Sequence, residues 1–177
     1  MNSNIFKMEL EQIIDSDLRS KVKLVLDCVD PRHETEPASS TGKYHPDFAH
    51  GDGGLIRHTK AVVLIANELC NTRPGINKDY MIAAAILHDM HKYKDTGKYT
   101  CHEHPFLMAC DASEAGLPQP VVLAIESHMG QWNTSNRSSV VLPVPSDDFQ
   151  WLLHYADYLA SRTWLKLTFD ENNNLVV

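Results

Sequence analysis

The sequence predicts an all-α fold, a bundle of about six to seven helices with a small C-terminal β-hairpin. Three observations carry this. Apolar residues recur at three- and four-residue steps along most of the chain, as in helices that bury one face. Helix stops and starts (Pro31, Gly75, Gly116, Pro118, Pro120) separate these stretches at helix-length intervals. Short strand-like runs occur only at the end, on either side of Asp170-Glu171-Asn172-Asn173-Asn174.

Residues 5–30 read as N-terminal helices in two pieces. Leu18, Val22, Val25, Leu26 and Val29 share a face of the second piece, Asp15 or Ser16 caps it, and Pro31 stops it. From Pro31 to Gly54, prolines, glycines and serines forbid a long regular element. Loops of this length inside a domain are usually functional or disordered, and Tyr44, His45, Phe48 and His50 favour an ordered one. Leu55 to Cys70 is the next helix, with His58 on the face of Leu55, Val62, Ile65, Ala66 and Leu69. Asn77 caps a helix whose string Met81, Ile82, Ala84, Ala85, Ile86, Leu87 is too continuous for a surface element. That helix is central, and it ends in His88-Asp89.

Residues 92–103 form a polar turn region around Gly97. Helices follow from about Pro105 to Ala115 and from Val121 to Met129, the second carrying His128 at its end. A second long loop covers residues 130–145. Ser146-Asp147-Asp148 opens a helix to about Trp164 with Asp157 in its middle, and the hairpin closes the chain. The 177 residues, 43% hydrophobic and 22% charged, suit one domain: N-terminal helices 5–30, a core over 36–165, and a tail over 166–177.

The formal charge of −7, with no Lys/Arg-rich block, disfavours gripping a long nucleic acid. A small phosphorylated partner stays open, because a bound metal adds positive charge that composition does not display. The four cysteines have no C-x-x-C spacing and no signal-peptide pattern precedes them, so reduced thiols and a cytoplasmic setting are expected. No apolar run reaches the length of a membrane span.

Histidine is over-supplied, with ten in the chain. His58, His88, Asp89, His128 and Asp157 end or sit within separate helices at core-facing positions, and His104 begins another. About one His-Asp dipeptide is expected by chance in such a composition, and a histidine on an apolar face is more often a core residue than a ligand. The set and its order carry the case. Imidazole with carboxylate suits a divalent transition metal (Mn, Fe, Co, Ni or Zn) rather than calcium. One or two such ions can generate hydroxide near neutral pH and clamp a phosphoryl transfer.

That order, His58, then His88-Asp89, then a distant Asp157, resembles the H…HD…D signature of the HD-domain metal-dependent phosphohydrolases. Gly53-Gly54-Leu55-Ile56-Arg57-His58-Thr59 is similar to the family's G-G-L-x-x-H-T helix entry, and Leu87-His88-Asp89-Met90-His91-Lys92 to its L-H-D-x-x-K. His104-Pro105 and Ser127-His128 resemble the added histidine positions of two-metal members. The stretch from Pro37 to Pro46 resembles the corresponding loop of some bacterial 3′→5′ exoribonucleases. His91 stands where many two-metal members have glycine, and there is no G-Y-P motif of the cyclic-di-GMP branch.

The resemblance implies an HD-domain-like helical fold with His58, His88, Asp89 and Asp157 holding a first metal. Asp89 would bridge to a second, held by His104 and His128. The expected function is hydrolysis of a phosphomonoester or phosphodiester by metal-activated hydroxide, on a nucleotide or short oligonucleotide. Asp89 orients the water and Lys92 meets phosphate charge. Lys43 and Arg137 lie in or beside loops expected to face the site, and are candidates for substrate contact. Two alternatives stay open: a non-catalytic metal- or nucleotide-binding regulatory module, and a helical protein whose histidines are incidental.

Overall fold

A computed structural model describes residues 1–39, 41–93 and 101–176. Its helices are α1 (Lys7–Leu10), α2 (Ser16–Cys28), α3 (Gly54–Asn71), α4 (Lys78–Leu87), α5 (His104–Glu114), α6 (Gln119–Ser127) and α7 (Asp148–Ala160). Strands β1 (Thr168–Phe169) and β2 (Leu175–Val176) pair antiparallel, Thr168 opposite Val176 and Phe169 opposite Leu175. The all-α expectation with its closing hairpin holds. The turn expected around Gly97 lies outside the described residues.

Helix α4 is the axis. Every residue from Met81 to Leu87 is fully buried, because α2, α3, α6 and α7 all pack on it. A helix apolar on all sides is stable only in such a sleeve. Side-chain caps set the starts. Asp15 accepts from the Asp17 and Leu18 N–H groups, Asn77 from that of Tyr80, and Asp147 from that of Gln150. Each such cap stabilises its helix by about 1 kcal/mol. Helix α7 ends at Ala160 rather than near Trp164. There the Ser161 hydroxyl and the Arg162 Nε–H both donate to the Tyr158 carbonyl, so side chains take up the last turn's free acceptor.

The 31–53 loop is ordered by specific ties. Two 3-10 turns, Pro31–Glu34 and Asp47–Ala49, fold it back on itself. Ala38 N–H donates to the Ala49 carbonyl at 3.0 Å, Leu55 N–H to Glu36 at 2.9 Å, and the Tyr93 hydroxyl to Pro37 at 2.8 Å. Ala38, Ala49 and Leu55 make a small buried cluster beneath it. The hairpin is tied to the same end of α3. Arg57 bonds the Asn173 side chain, and Lys60 Nζ donates to Asn174 Oδ1 at 3.0 Å. These two cations bracket His58 in sequence.

His33, fully buried in the first of these turns, carries a pH-dependent share of stability. Its Nδ1 donates to the Asp30 carbonyl at 3.1 Å, while its Nε2 is buried with no hydrogen-bond partner. A proton there would meet no acceptor, and burial lowers its pKa to about 4. The unfolded chain takes up this proton near pH 6.5 and the folded one only near pH 4, so stability falls as pH drops across that window. We expect His33→Phe to flatten the dependence of unfolding free energy on pH between 6.5 and 4. The slope should lose about one proton, roughly 1.4 kcal/mol per pH unit. Urea unfolding at several pH values reads this directly; an unchanged slope would refute it.

Candidate metal centre

Three of the histidines owe their orientation to one local device. His88 and His128 each follow the last residue of a helix, where backbone carbonyls lack helical partners. His88 Nδ1 donates to the Ala85 carbonyl at 2.8 Å and His128 Nδ1 to that of Ile125 at 2.7 Å. His104 makes the same three-residue reach, from Nδ1 to the Cys101 carbonyl at 3.1 Å. In each ring the proton is thereby placed on Nδ1, and Nε2 presents a bare lone pair. All three Nε2 atoms face Asp89.

Asp89 divides the centre in two. Its Oδ2 lies 3.7 Å from His58 Nε2 and 3.6 Å from His88 Nε2. On the same side, Asp157 Oδ1 stands 3.1 Å from His58 Nε2 and 3.9 Å from His88 Nε2. The other oxygen, Oδ1, lies 2.9 Å from His104 Nε2 and 3.7 Å from His128 Nε2. Four helices and the turn after α4 thus deliver His58, His88, Asp89, His104, His128 and Asp157 to one point. The imidazoles form a chain, with centroids 5.7 Å apart for His58–His88, 5.0 Å for His88–His128 and 5.1 Å for His104–His128.

The donor set fits divalent cations. His88 Nε2 is buried, without a hydrogen-bond partner, and faces carboxylate oxygens lone pair to lone pair. His104 Nε2 and His128 Nε2 stand 3.2 Å apart with both protons spent on the Nδ1 bonds. Such contacts repel unless a positive charge lies beside them. Bonds of about 2.0–2.2 Å to one ion, meeting at roughly 90–110°, place ligand atoms about 3–3.5 Å apart. The separations here run from 2.9 to 3.9 Å. Protonation is suited as well. Burial lowers His88 and His104 to about 4, so both are neutral at pH 7, as ligation requires. Burial alone would raise the two carboxyls. The Lys92 ammonium and the His88 ring outweigh it at Asp89, and the His58 contact does so at Asp157, holding both below the usual range.

Lys92 Nζ donates to Asp89 Oδ2 at 2.9 Å, and Asp89 in turn holds the ammonium above its ordinary pKa despite burial. A cavity of about 500 Å³ opens over the centre, with Asp89, Asp157 and Lys92 among its lining. Lys43 and Arg137 are exposed and are not among the lining residues. Arg162, Ser161, Tyr158 and Met129 are, and the sequence reading passed them over. The signal for Arg162 was its place five residues after Asp157, beyond a helix end that the apolar pattern did not reveal. His45 also lines the cavity, its ring edge-on to His58 with centroids 5.3 Å apart.

Behind His128, His154 Nδ1 donates to the His128 carbonyl at 2.8 Å. Gly130 makes this possible: its φ is +57°, and a side chain there would overlap the His154 ring. The turn that aims His128 is therefore closed by a residue two positions on.

No solved structure gives a significant match. The dihydroneopterin 2′,3′-cyclic phosphate phosphodiesterase of Methanocaldococcus jannaschii is 27% identical over an alignment of 175 residues. That alignment takes in 86% of this chain and 66% of the relative, so the chain spans just under two thirds of that protein. The likeness of the 37–46 loop to exoribonucleases gains no support from either relative or family. The profile of the HD domain matches residues 55–162, more than half of the chain and the whole stretch from His58 to Asp157. The chain belongs to the HD-domain phosphohydrolase superfamily.

Proposed function

We propose that this protein hydrolyses a phosphodiester or phosphomonoester on a small, nucleotide-sized substrate, using divalent metal held by His58, His88, Asp89, Asp157, His104 and His128. The observation that carries the reading is Asp89, whose two oxygens each face a separate pair of imidazoles. A divalent cation there supplies Lewis-acid activation of water and of phosphoryl oxygens at neutral pH. The chain's own residues do the rest. Asp89 and Asp157, both held ionised, are acceptors that orient the attacking water. Lys92, fixed against Asp89, offsets charge gathering on the phosphoryl oxygens. A P–O bond to water oxygen forms as the bond to the leaving alcohol breaks, and the alcohol takes the proton. The relative's printed substrate, a cyclic phosphate, is a phosphodiester and favours diester over monoester. We read residues 1–177 as one domain acting in the cytoplasm, in keeping with four cysteines that form no disulfide among the described residues.

The test is an assay on bis-p-nitrophenyl phosphate and a nucleotide panel with Mn, Co, Ni or Zn, alongside metal analysis. Turnover that disappears in Asp89→Ala and persists in Lys166→Ala is the expected result. Stoichiometric metal without turnover on any substrate would replace it with a binding module. Absence of stoichiometric metal after reconstitution would end the metal reading altogether.

A further inference from the structure

Two large aromatic side chains at the cavity are left uncovered. Trp132 is 46% exposed and Tyr44 is 59% exposed, and both line the space above Asp89 and Asp157. They come from different loops, the 130–145 and the 31–53 segments. Trp132 is held in place: its indole stacks on Tyr158 at 5.9 Å and 13°, and the Gly130–Trp132 turn is pinned against His154. An exposed indole in a fixed orientation is a ready platform for a flat ligand.

Arg162 supplies the second element. Its guanidinium carbon lies 4.0 Å from the Tyr158 ring centroid. Nε–H donates to the Tyr158 carbonyl and one terminal nitrogen to Ser161 Oγ. A guanidinium has five N–H donors, so others remain, and no carboxylate pairs with Arg162 among the described residues. The cavity therefore sets a planar cation with further N–H donors beside an aromatic platform. Ser161 and His45 add hydrogen-bonding groups at its edge. Among the described residues, Lys92 and Arg162 are the cations lining it, enough for one phosphate group.

We propose that the cavity recognises a flat nitrogen heterocycle carried by the phosphate ester. The ring stacks on Trp132 with Tyr44 beside it, and Arg162 binds an anionic oxygen of the phosphate. The placing of the phosphate rests on the phosphohydrolase reading; the recognition of the ring does not. A purine nucleobase and a pterin share the required chemistry, a polar-edged planar ring, whereas an alkyl phosphate lacks it.

Three cyclic phosphates test this: those of guanosine (2′,3′), dihydroneopterin (2′,3′) and glycerol (1,2), alike in their phosphodiester ring. Calorimetry on metal-free protein measures binding without turnover, and kcat/KM is measured on metal-loaded protein. The wild type is expected to favour at least one of the two heterocyclic compounds over the glycerol compound about tenfold or more. The compound favoured identifies the ring. Trp132→Ala should erase the preference, while Trp132→Phe should retain most of it. Arg162→Gln should weaken all three about tenfold and keep their order. Equal binding of all three by the wild type, or a preference that survives Trp132→Ala, would overturn the proposal. Hydrolysis of all three at equal rates would sink the ring recognition and leave the phosphohydrolase reading standing. A ring preference in binding with no hydrolysis under any metal would do the reverse.

Discussion

Asp89→Ala is expected to lower kcat/KM on any substrate by roughly a thousandfold or more and to strip metal from both halves of the centre. Loss of an outer-shell partner costs a metal site about ten- to a hundredfold, and a ligand shared by two half-sites exceeds that. His128→Ala, by contrast, removes a donor from one side alone, so its metal content should fall by half that of Asp89→Ala. Elemental analysis beside steady-state kinetics distinguishes the two patterns. The fold should survive. Lys92 loses its 2.9 Å contact, but its side chain is 15% exposed and can turn toward water. The cost to stability is therefore about 1–2 kcal/mol, below the 3–5 kcal/mol for breaking a fully buried pair. If Asp89→Ala kept its metal and its activity, the shared-carboxylate arrangement would have to be abandoned.

Gly54→Ala is expected to be the most damaging single-methyl change in the molecule. A Cβ at this position overlaps the Ala49 carbonyl and stands 3.1 Å from Pro37 Cα, so backbone crowds it from two directions. Backbone yields less readily than a side chain. The loop carrying His45 would be driven off α3 and the Leu55 N–H to Glu36 bond broken, at a cost of about 3 kcal/mol or more. His58, one turn into the same helix, would shift with it. Thermal unfolding should show a loss of at least about 5 °C, with weaker metal binding at a temperature where the variant is still folded. Gly51→Ala is the control. Its Cβ would meet nothing within 4 Å, so it suffers only the strain of its positive φ. Equal loss in both variants would show that close approach of the loop backbone is not what Gly54 provides.

The elements were legible wherever local chemistry decides them. Asp15, Asn77 and Asp147 carry their own capping acceptors, and the string from Met81 to Leu87 could only be buried. The six ligand-type residues were legible from their order along the chain. The cavity wall was not. Lys43 and Arg137 looked suitable because they sat in loops near the ligands in sequence, yet neither is among the residues that line the cavity. Arg162 looked like part of a longer helix; its position depends on the Tyr158 carbonyl and Ser161 hydroxyl drawing it back over Tyr158.

What this chain's sequence determined by itself is therefore periodic and local: helices, caps, and histidines that turn onto the carbonyl three residues earlier. Those interactions span a single turn and can be read in a window of a few residues. What the tertiary structure alone decided is that Asp89 presents one oxygen to His58 and His88 and the other to His104 and His128, and that Trp132 and Arg162 reach the same cavity. Those depend on packing α3, α6 and α7 around α4 and α5 against α6, where contacts of about 3–4 Å join residues tens of positions apart. No spacing along the chain encodes such distances.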